Sequence, residues 1–243
     1  MEEDRICGAN AVAAVFAKRP EAVKRLFYTE DMKEKVGPFC AALAAKRRPY
    51  RLLDEADIAK TAGSIHHGGV VAIAETRYVG IIDFVRPPRM QLLVILDGVS
   101  NPHNLGAIAR SAAFFGAGGL LFHEIPGQAM PSDAAYRTAE GGLEYLELHK
   151  TRNIRKALLA LEPHYRTVAT AFTPDAMPLQ TLPRDRPIAL VLGNEERGVS
   201  WDTLETCRRR VRILGPGKVQ SLNVAQAAAV LLANLTDPMA QPG

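Results

Sequence analysis

The chain alternates between short, uninterrupted apolar runs and longer segments whose apolar residues recur at helical spacing. Leu92–Leu96 (LLVIL) and Ile188–Leu192 (IALVL) are apolar at every position. A strand reads this way when both of its faces are covered, as in a parallel sheet. A shorter β-prone run, Val211–Leu214, leads into Gly215-Pro216-Gly217-Lys218. Beyond it Leu222, Ala225, Ala228, Ala229 and Leu232 fall at helical spacing and predict a buried helix to Leu235. Leu92–Leu96, a helix from about Leu105 to Phe115 stopped by Gly116 and Gly118, and a strand at Leu120–Phe122 make one βαβ unit, whose crossover is right-handed. Pro126–Thr138 reads as a loop with room for a short helix. Strands at Tyr145–Leu148 and Thr167–Phe172 flank a helix at Ile154–Leu161.

The N-terminal part alternates in the same manner. Helices are predicted at Ala9–Lys18, ended by Pro20, and at Glu55–Ala62, ended by Gly63. A third is capped by Thr29 and runs to about Lys46, with Gly37-Pro38 expected to break or restart it. Strands are predicted at Val23–Tyr28, Arg51–Leu53 and, after the turn His66-His67-Gly68-Gly69, at Val70–Ala74. Asp83–Gln91 carries Pro87-Pro88 between arginines and reads as a linker. The expected organisation is a small α/β domain (1–83), a linker (84–91) and a larger α/β domain with a mostly parallel sheet (92–243).

Composition narrows the function classes only mildly. The 243 residues are 47% hydrophobic and 23% charged, as in a soluble globular protein. A formal charge of +4 permits a polyanionic partner without requiring one. Three widely spaced cysteines make neither a disulfide framework nor a metal pattern, so a reducing, cytoplasmic setting is expected. The first residues lack the charge and apolar run of a signal peptide, and no apolar run could span a bilayer. His66 and His67 are adjacent, point apart and lack a third ligand, so no metal is expected. Lys46, Arg47, Arg48 and Arg51, around Tyr50, form a basic cluster that suits either a solvated face or contact with phosphates.

Three predicted strands end in polar, glycine-bearing loops, and ligands bind at the carboxyl ends of parallel strands. The first loop and its helix supply Asn101, His103, Asn104 and Arg110. The second supplies Gly193, Asn194, Glu195 and Gly198. The third supplies Gly217, Gln220, Ser221 and Asn223. The set is rich in amides and poor in metal ligands. A Walker loop is excluded because Val219, not a hydroxyl residue, follows Lys218. The dinucleotide fingerprint is missing after the first strand, which opposes a nicotinamide oxidoreductase. Ser221 has no histidine placed to activate it.

These loops carry a family resemblance. Asn101-Pro102-His103-Asn104-Leu105-Gly106-Ala107-Ile108-Ala109-Arg110 matches N-P-x-N-x-G-x-x-x-R. Leu190–Gly198 matches a strand followed by G-N-E-x-x-G, and Gly217–Val224 matches G-x-V-x-S-L-N-V. In this order they resemble the SpoU (TrmH-like) branch of the SPOUT superfamily, RNA ribose 2′-O-methyltransferases, over about Leu92–Leu235. Gly8-Ala9-Asn10-Ala11-Val12 and Gly69-Val70-Val71-Ala72 are similar, more loosely, to an L30e-type RNA-binding domain.

The resemblance implies S-adenosylmethionine, an RNA substrate (ribosomal over transfer RNA), a homodimer and a trefoil knot in the C-terminal domain. It implies a cofactor pocket at Leu192, Gly193, Asn194, Gly198, Ile213, Gly217, Ser221 and Leu222, and chemistry at Arg110, Asn104, Glu195 and Asn223. Arg110 would act as a base aided by an RNA phosphate, or as a cation beside the 2′-oxygen. Asn104 is expected to cap its helix and face the substrate. Glu195 would fix the loop or pair with Arg110. Asn223 and Ser221 would orient the pocket. Two positions depart from the family pattern: Leu214 stands where proline is usual and Gln220 where glutamate is usual. The rival reading is an RNA-binding or ribosome-assembly factor with the same fold and no turnover.

Overall fold

The structure is a computed structural model that describes residues 3–218 and 221–236. Gln220 lies outside them.

The N-terminal unit is a four-stranded sheet in the order β1-β4-β2-β3, with β1 Glu3–Cys7, β2 Val23–Tyr28, β3 Tyr50–Leu52 and β4 Val70–Glu75. The central strand β4 pairs antiparallel with β1 and β2, and β3 runs parallel to β2. Helices α1 Ala9–Lys18, α2 Lys33–Ala45 and α3 Glu55–Ala62 cover it. β1 (EDRIC) escapes the apolar-run criterion because charged residues fill three of its five positions. The break expected at Gly37-Pro38 does not occur. Pro38 sits within α2 on its exposed side, and Val36 and Leu43, both buried, hold the helix across the missing hydrogen bond. Thr29 stands at the N-cap of a 3-10 turn, Glu30–Met32, but its hydroxyl donates to the Gly69 carbonyl at 3.3 Å and caps nothing. His67 is buried, and its Nδ1 accepts from the Gly69 N–H at 3.1 Å, so this histidine braces the turn before β4.

The second unit is an eight-stranded sheet whose every pairing is parallel, in the order β10-β12-β9-β11-β6-β7-β8-β5. Its strands are β5 Gly80–Ile81, β6 Leu92–Asp97, β7 Gly119–His123, β8 Glu147–Thr151, β9 Arg166–Thr170, β10 Met177–Pro178, β11 Ile188–Gly193 and β12 Arg209–Arg212. Its helices are α4 Pro102–Phe114, α5 Asp133–Ala139, α6 Ile154–Leu161, α7 Trp201–Thr206 and α8 Val224–Leu235. Alternate residues of the two apolar strands serve opposite faces. Leu92, Val94, Leu96, Ile188, Leu190 and Leu192 join the core with α4, α5 and α8, while Leu93, Ile95, Ala189 and Val191 join the core with α6. The strand expected at Tyr145–Leu148 starts later because Gly142–Tyr145 coils into a 3-10 turn. The last strand comes earlier than its apolar run suggests. Arg209 and Arg210 form its rungs on β9, and Leu214 lies beyond it, 57% exposed.

The core of the small unit is continuous with that of the large one, running from Ile6 and Val12 to Tyr136 and Leu143. Charge is buried at the same seam. Arg19 donates from Nε and Nη2 to the Glu144 carboxylate at 2.9 Å each, and Arg77 approaches it at 3.3 Å. The Tyr136 hydroxyl donates to Asp4 at 2.9 Å. The Glu144 side chain is only 1% exposed. Two guanidiniums and two carboxylates thus satisfy one another where the units meet.

Candidate functional site

Because β6, β9, β11 and β12 are parallel neighbours, their carboxyl ends open at one edge of the sheet. Three of the four following loops carry the sequence motifs. The fourth, after β9, begins at Ala171, whose N–H donates to the Val211 carbonyl at 2.9 Å. No motif marks it, and pattern reasoning overlooks it.

Asn101, not Asn104, caps α4: its Oδ1 accepts from the His103 N–H at 2.8 Å, and Pro102 occupies the first helical position. Asn104 lies inside the helix, and its amide is spent between loops. Its Nδ2 donates to Glu195 Oε1 at 2.8 Å, and its Oδ1 accepts from Asn223 Nδ2 at 3.2 Å. Asn223 in turn caps α8, its Oδ1 accepting from the Ala225 N–H at 2.9 Å. The other oxygen of Glu195 accepts from the Ser100 N–H and hydroxyl at 3.3 and 3.2 Å and from Asn194 Nδ2 at 3.3 Å. One polar chain, Asn223–Asn104–Glu195–Ser100, therefore ties the first, second and third loops together. Burial pushes the Glu195 carboxyl up, but the hydrogen bonds from Asn104 and Ser100 outweigh it and hold it below the ordinary glutamate value.

Asn194 shapes the second loop. Its Nδ2 donates to the Gly98 carbonyl at 2.8 Å, and its Oδ1 accepts from the Glu196 and Arg197 N–H groups at 3.0 Å each. Asn194 and Gly198 exchange backbone hydrogen bonds at 2.9 Å. The return of the loop presses on Gly193: a Cβ there would lie 2.2 Å from the Gly198 carbonyl carbon. The loop's own backbone, then, is what forbids a side chain at Gly193. Leu192 is buried, Ile213 is half-buried, and Gly217, Ser221 and Leu222 line the exposed edge.

Further residues missed in the sequence brace this edge. Asp97, buried at the end of β6, accepts from His123 Nδ1 at 2.7 Å and from the Ser200 N–H and hydroxyl at 2.9 and 2.7 Å. It pins the end of the second loop to the first strand. Burial raises its carboxyl, yet His123 and Ser200 bring the net below the ordinary aspartate value. Gln128 accepts from the Gly98 N–H at 2.8 Å and donates to Val99 and Ala129 carbonyls at 3.0 Å each. Both residue types are common, and neither stands in a motif.

Arg110 follows Asn104 on α4 by less than two turns. It does not pair with Glu195. Its Nη1 donates to Glu140 Oε1 at 2.7 Å, with the two side chains 57% and 42% exposed. In the basic cluster of the small unit, Lys46 pairs with Glu21. Arg48 donates to the Glu21 carbonyl at 2.9 Å and to other carbonyls of the same segment, which fastens the end of α2 to the start of β2. Arg47, with φ 54°, and Arg51 are exposed. Among the described residues no group of three or more potential ligands could hold a metal ion, and no helix is long and apolar enough to cross a membrane. Burial pushes the Cys7 and Cys207 thiols up to about 11 and about 12, which favours the neutral thiol at both positions.

The polar, amide-rich loops gathered at one edge of a parallel sheet are the site that this α/β fold presents. Residues 91–233 match the profile of the SpoU rRNA Methylase family, and residues 5–78 match that of the RNA 2'-O ribose methyltransferase substrate binding domain. An uncharacterized tRNA/rRNA methyltransferase YfiF from Escherichia coli O157:H7 is 35% identical over 233 residues, 95% of this chain and 67% of that protein. The 23S rRNA (guanosine-2'-O-)-methyltransferase RlmB of Nitrosomonas europaea is 30% identical, over 93% of this chain and 88% of that protein. Among solved structures, an rRNA methyltransferase from Sinorhizobium meliloti superposes with a TM-score of 0.78 at 23% identity, covering 96% of this chain and 86% of that one. The chain belongs to the SpoU rRNA methylase family and is an RNA methyltransferase.

Proposed function

We propose that the protein transfers a methyl group from S-adenosylmethionine to a ribose 2′-hydroxyl of structured RNA, ribosomal rather than transfer RNA. The observation that carries this is the polar chain Asn223–Asn104–Glu195, which joins three loops at one sheet edge on the helix that bears Arg110. The chemistry of the edge suits the donor. Leu214 and Leu222 offer exposed apolar surface of the kind an adenine ring covers, and Gly215, Pro216 and Gly217 are exposed as well. The Nε of Arg212, buried without a partner among the described residues, ends β12 next to that edge.

S-adenosylmethionine, when bound, supplies a methyl group activated by its sulfonium. What the chain must then do is bring up a 2′-oxygen. A guanidinium keeps its proton under working conditions, so Arg110 serves as a cation. It holds an RNA phosphate bidentately and stabilises the negative charge that develops on the 2′-oxygen. Asn104, Glu195 and Asn223 hold the loops, with Leu192, Gly193, Asn194, Gly198, Ile213, Gly217, Ser221 and Leu222 forming the pocket wall. The small unit, within 1–83, binds RNA through its exposed Arg47 and Arg51, and the catalytic unit runs from 92 onwards, with β5 reaching across to the edge of the large sheet. The ribosomal preference is supported by relatives of similar length, whose names specify 23S rRNA. A cytoplasmic homodimer formed through a knotted catalytic unit is part of the same reading. It is supported by the exposed stripe Gln226, Val230 and Ala233 on α8 and by Phe114, 80% exposed at the end of the adjoining α4.

The test is methyl transfer from labelled S-adenosylmethionine to ribosomal RNA extracted from cells lacking the protein. Arg110→Ala is expected to abolish transfer while cofactor affinity, followed by calorimetry, stays within about twofold, less than 0.5 kcal/mol. An alanine variant with full turnover would remove Arg110 from the mechanism. A wild-type protein that binds no cofactor at millimolar concentration would favour the non-catalytic rival.

A further inference from the structure

Glu140 is one of two non-glycine residues with a positive φ among those described. It ends α5 with φ 44° and ψ 44°, the left-handed region in which a glutamate is disfavoured and a glycine is not. Its carboxylate reaches in two directions. Oε1 accepts from Arg110 Nη1 at 2.7 Å, and Oε2 accepts from Asn10 Nδ2 of α1 at 3.1 Å. The next residues leave the chain no slack. At Gly141, φ 92°, a Cβ would lie 2.7 Å from the Ala14 Cβ of α1; at Gly142 it would lie 2.8 Å from the Cα of Arg110. The segment is thus threaded between the small unit and α4, and Glu140 points from that seam at the guanidinium.

Stability does not account for a glutamate here. The Arg110–Glu140 pair is about half exposed, and pairs of that kind contribute little. The backbone conformation works against it. A strained residue held by tight packing, with its charge on the one arginine that the reaction needs, calls for a functional explanation.

We infer that Glu140 is a positioning residue for methyl transfer: its carboxylate, itself held by Asn10, fixes the Arg110 guanidinium at the site edge. The inference rests on the catalytic reading of Arg110. One carboxylate oxygen on one terminal nitrogen orients the planar group and leaves its other edge for an RNA phosphate. Asn10 belongs to the unit whose profile is that of a substrate-binding domain, so the placement of substrate and of the guanidinium are linked through a single side chain.

The experiment compares full-length wild type, Glu140→Gly, Glu140→Gln and Arg110→Ala with S-adenosylmethionine and ribosomal RNA from cells lacking the protein. Glycine relieves the backbone, so Glu140→Gly is expected to melt at or above the wild-type temperature. Its cofactor affinity and RNA KM should stay near wild type while kcat falls about 10- to 100-fold, the scale of a misplaced catalytic group. Glu140→Gln keeps an acceptor oxygen and should recover part of that loss. Wild-type kcat in Glu140→Gly, alongside an inactive Arg110→Ala, overturns the positioning role and spares the catalytic one. Full turnover in Arg110→Ala overturns the catalytic reading, and this inference with it. A fall in kcat that tracks a lower melting temperature, without recovery in Glu140→Gln, returns Glu140 to a structural part.

Discussion

At the scale of single residues, the site is held by side chains that span loops more than by groups that could react. Gly193 shows how little room is left. Gly193→Ala must displace the Gly198–Val199 backbone, at a cost of about 1–3 kcal/mol. Since 1.4 kcal/mol is a factor of ten, cofactor affinity measured by calorimetry should drop about tenfold or more if that cost falls on the binding-competent loop. Asp97 makes a pH-dependent contribution. Its carboxyl is held below the ordinary aspartate value in the fold, so its contribution is complete above about pH 4 and is lost as pH falls through the lowered value. Urea unfolding should therefore show a steeper loss between neutral and acid pH for wild type than for Asp97→Asn. Asn104, Glu195 and Asn223 were legible in the sequence because each stands in a motif. Their partners were not, and a capping role for Asn104 was assigned to the wrong asparagine because the helix begins three residues earlier, at Pro102. Glu140 has no signature in the sequence: nothing in Arg-Thr-Ala-Glu-Gly-Gly says that a left-handed turn places the glutamate between Arg110 of α4 and Asn10 of the small unit.

At the scale of elements, strands buried on both faces announce themselves and edge elements do not. β6 and β11 are apolar throughout and were placed within a residue. β5 and β10 have two residues each, and β12 is mostly arginine; their strand character comes from the neighbours they pair with. α2 persists through Pro38 because burial of Val36 and Leu43 outweighs a local penalty. α8 has two roles. Its buried side, Ala225, Ala228, Leu231 and Leu232, completes the core, while Gln226, Val230 and Ala233 face outward. If that stripe is the contact between two copies, Val230→Glu should convert a dimer to a monomer in light scattering without changing the far-ultraviolet spectrum. An unchanged mass would reject the stripe as the interface.

For the molecule as a whole, two units share one core and a buried set of charges. Glu144 receives Arg19 and Arg77, and its removal leaves Asp4, 3.5 Å from Arg19, as the one carboxylate facing two guanidiniums. Breaking a buried pair of this sort costs about 3–5 kcal/mol, so Glu144→Ala should lower the melting temperature markedly and Glu144→Gln less. Calorimetry can tell whether the seam holds the units as one: a single transition that splits in Glu144→Ala is the expected result. The sequence indicated two α/β units and a linker between them. It could not indicate that β5, ahead of that linker, docks on β8, because parallel pairing across a long connection has no local pattern.

The order of the large sheet has a kinetic consequence. Its middle is the pair β6 and β11, whose partnered residues Leu92 and Ile188 are separated by nearly a hundred positions, and β12, the last strand described, inserts between β9 and β10. While the polypeptide is being made, the apolar strand β6 must therefore wait for β11 with one long edge uncovered. The antiparallel β1–β4–β2 sheet can close much sooner from nearby segments. Folding is expected to begin with the N-terminal sheet, and the loop edge of the large sheet, which needs β9 seated between β11 and β12, is expected to form last.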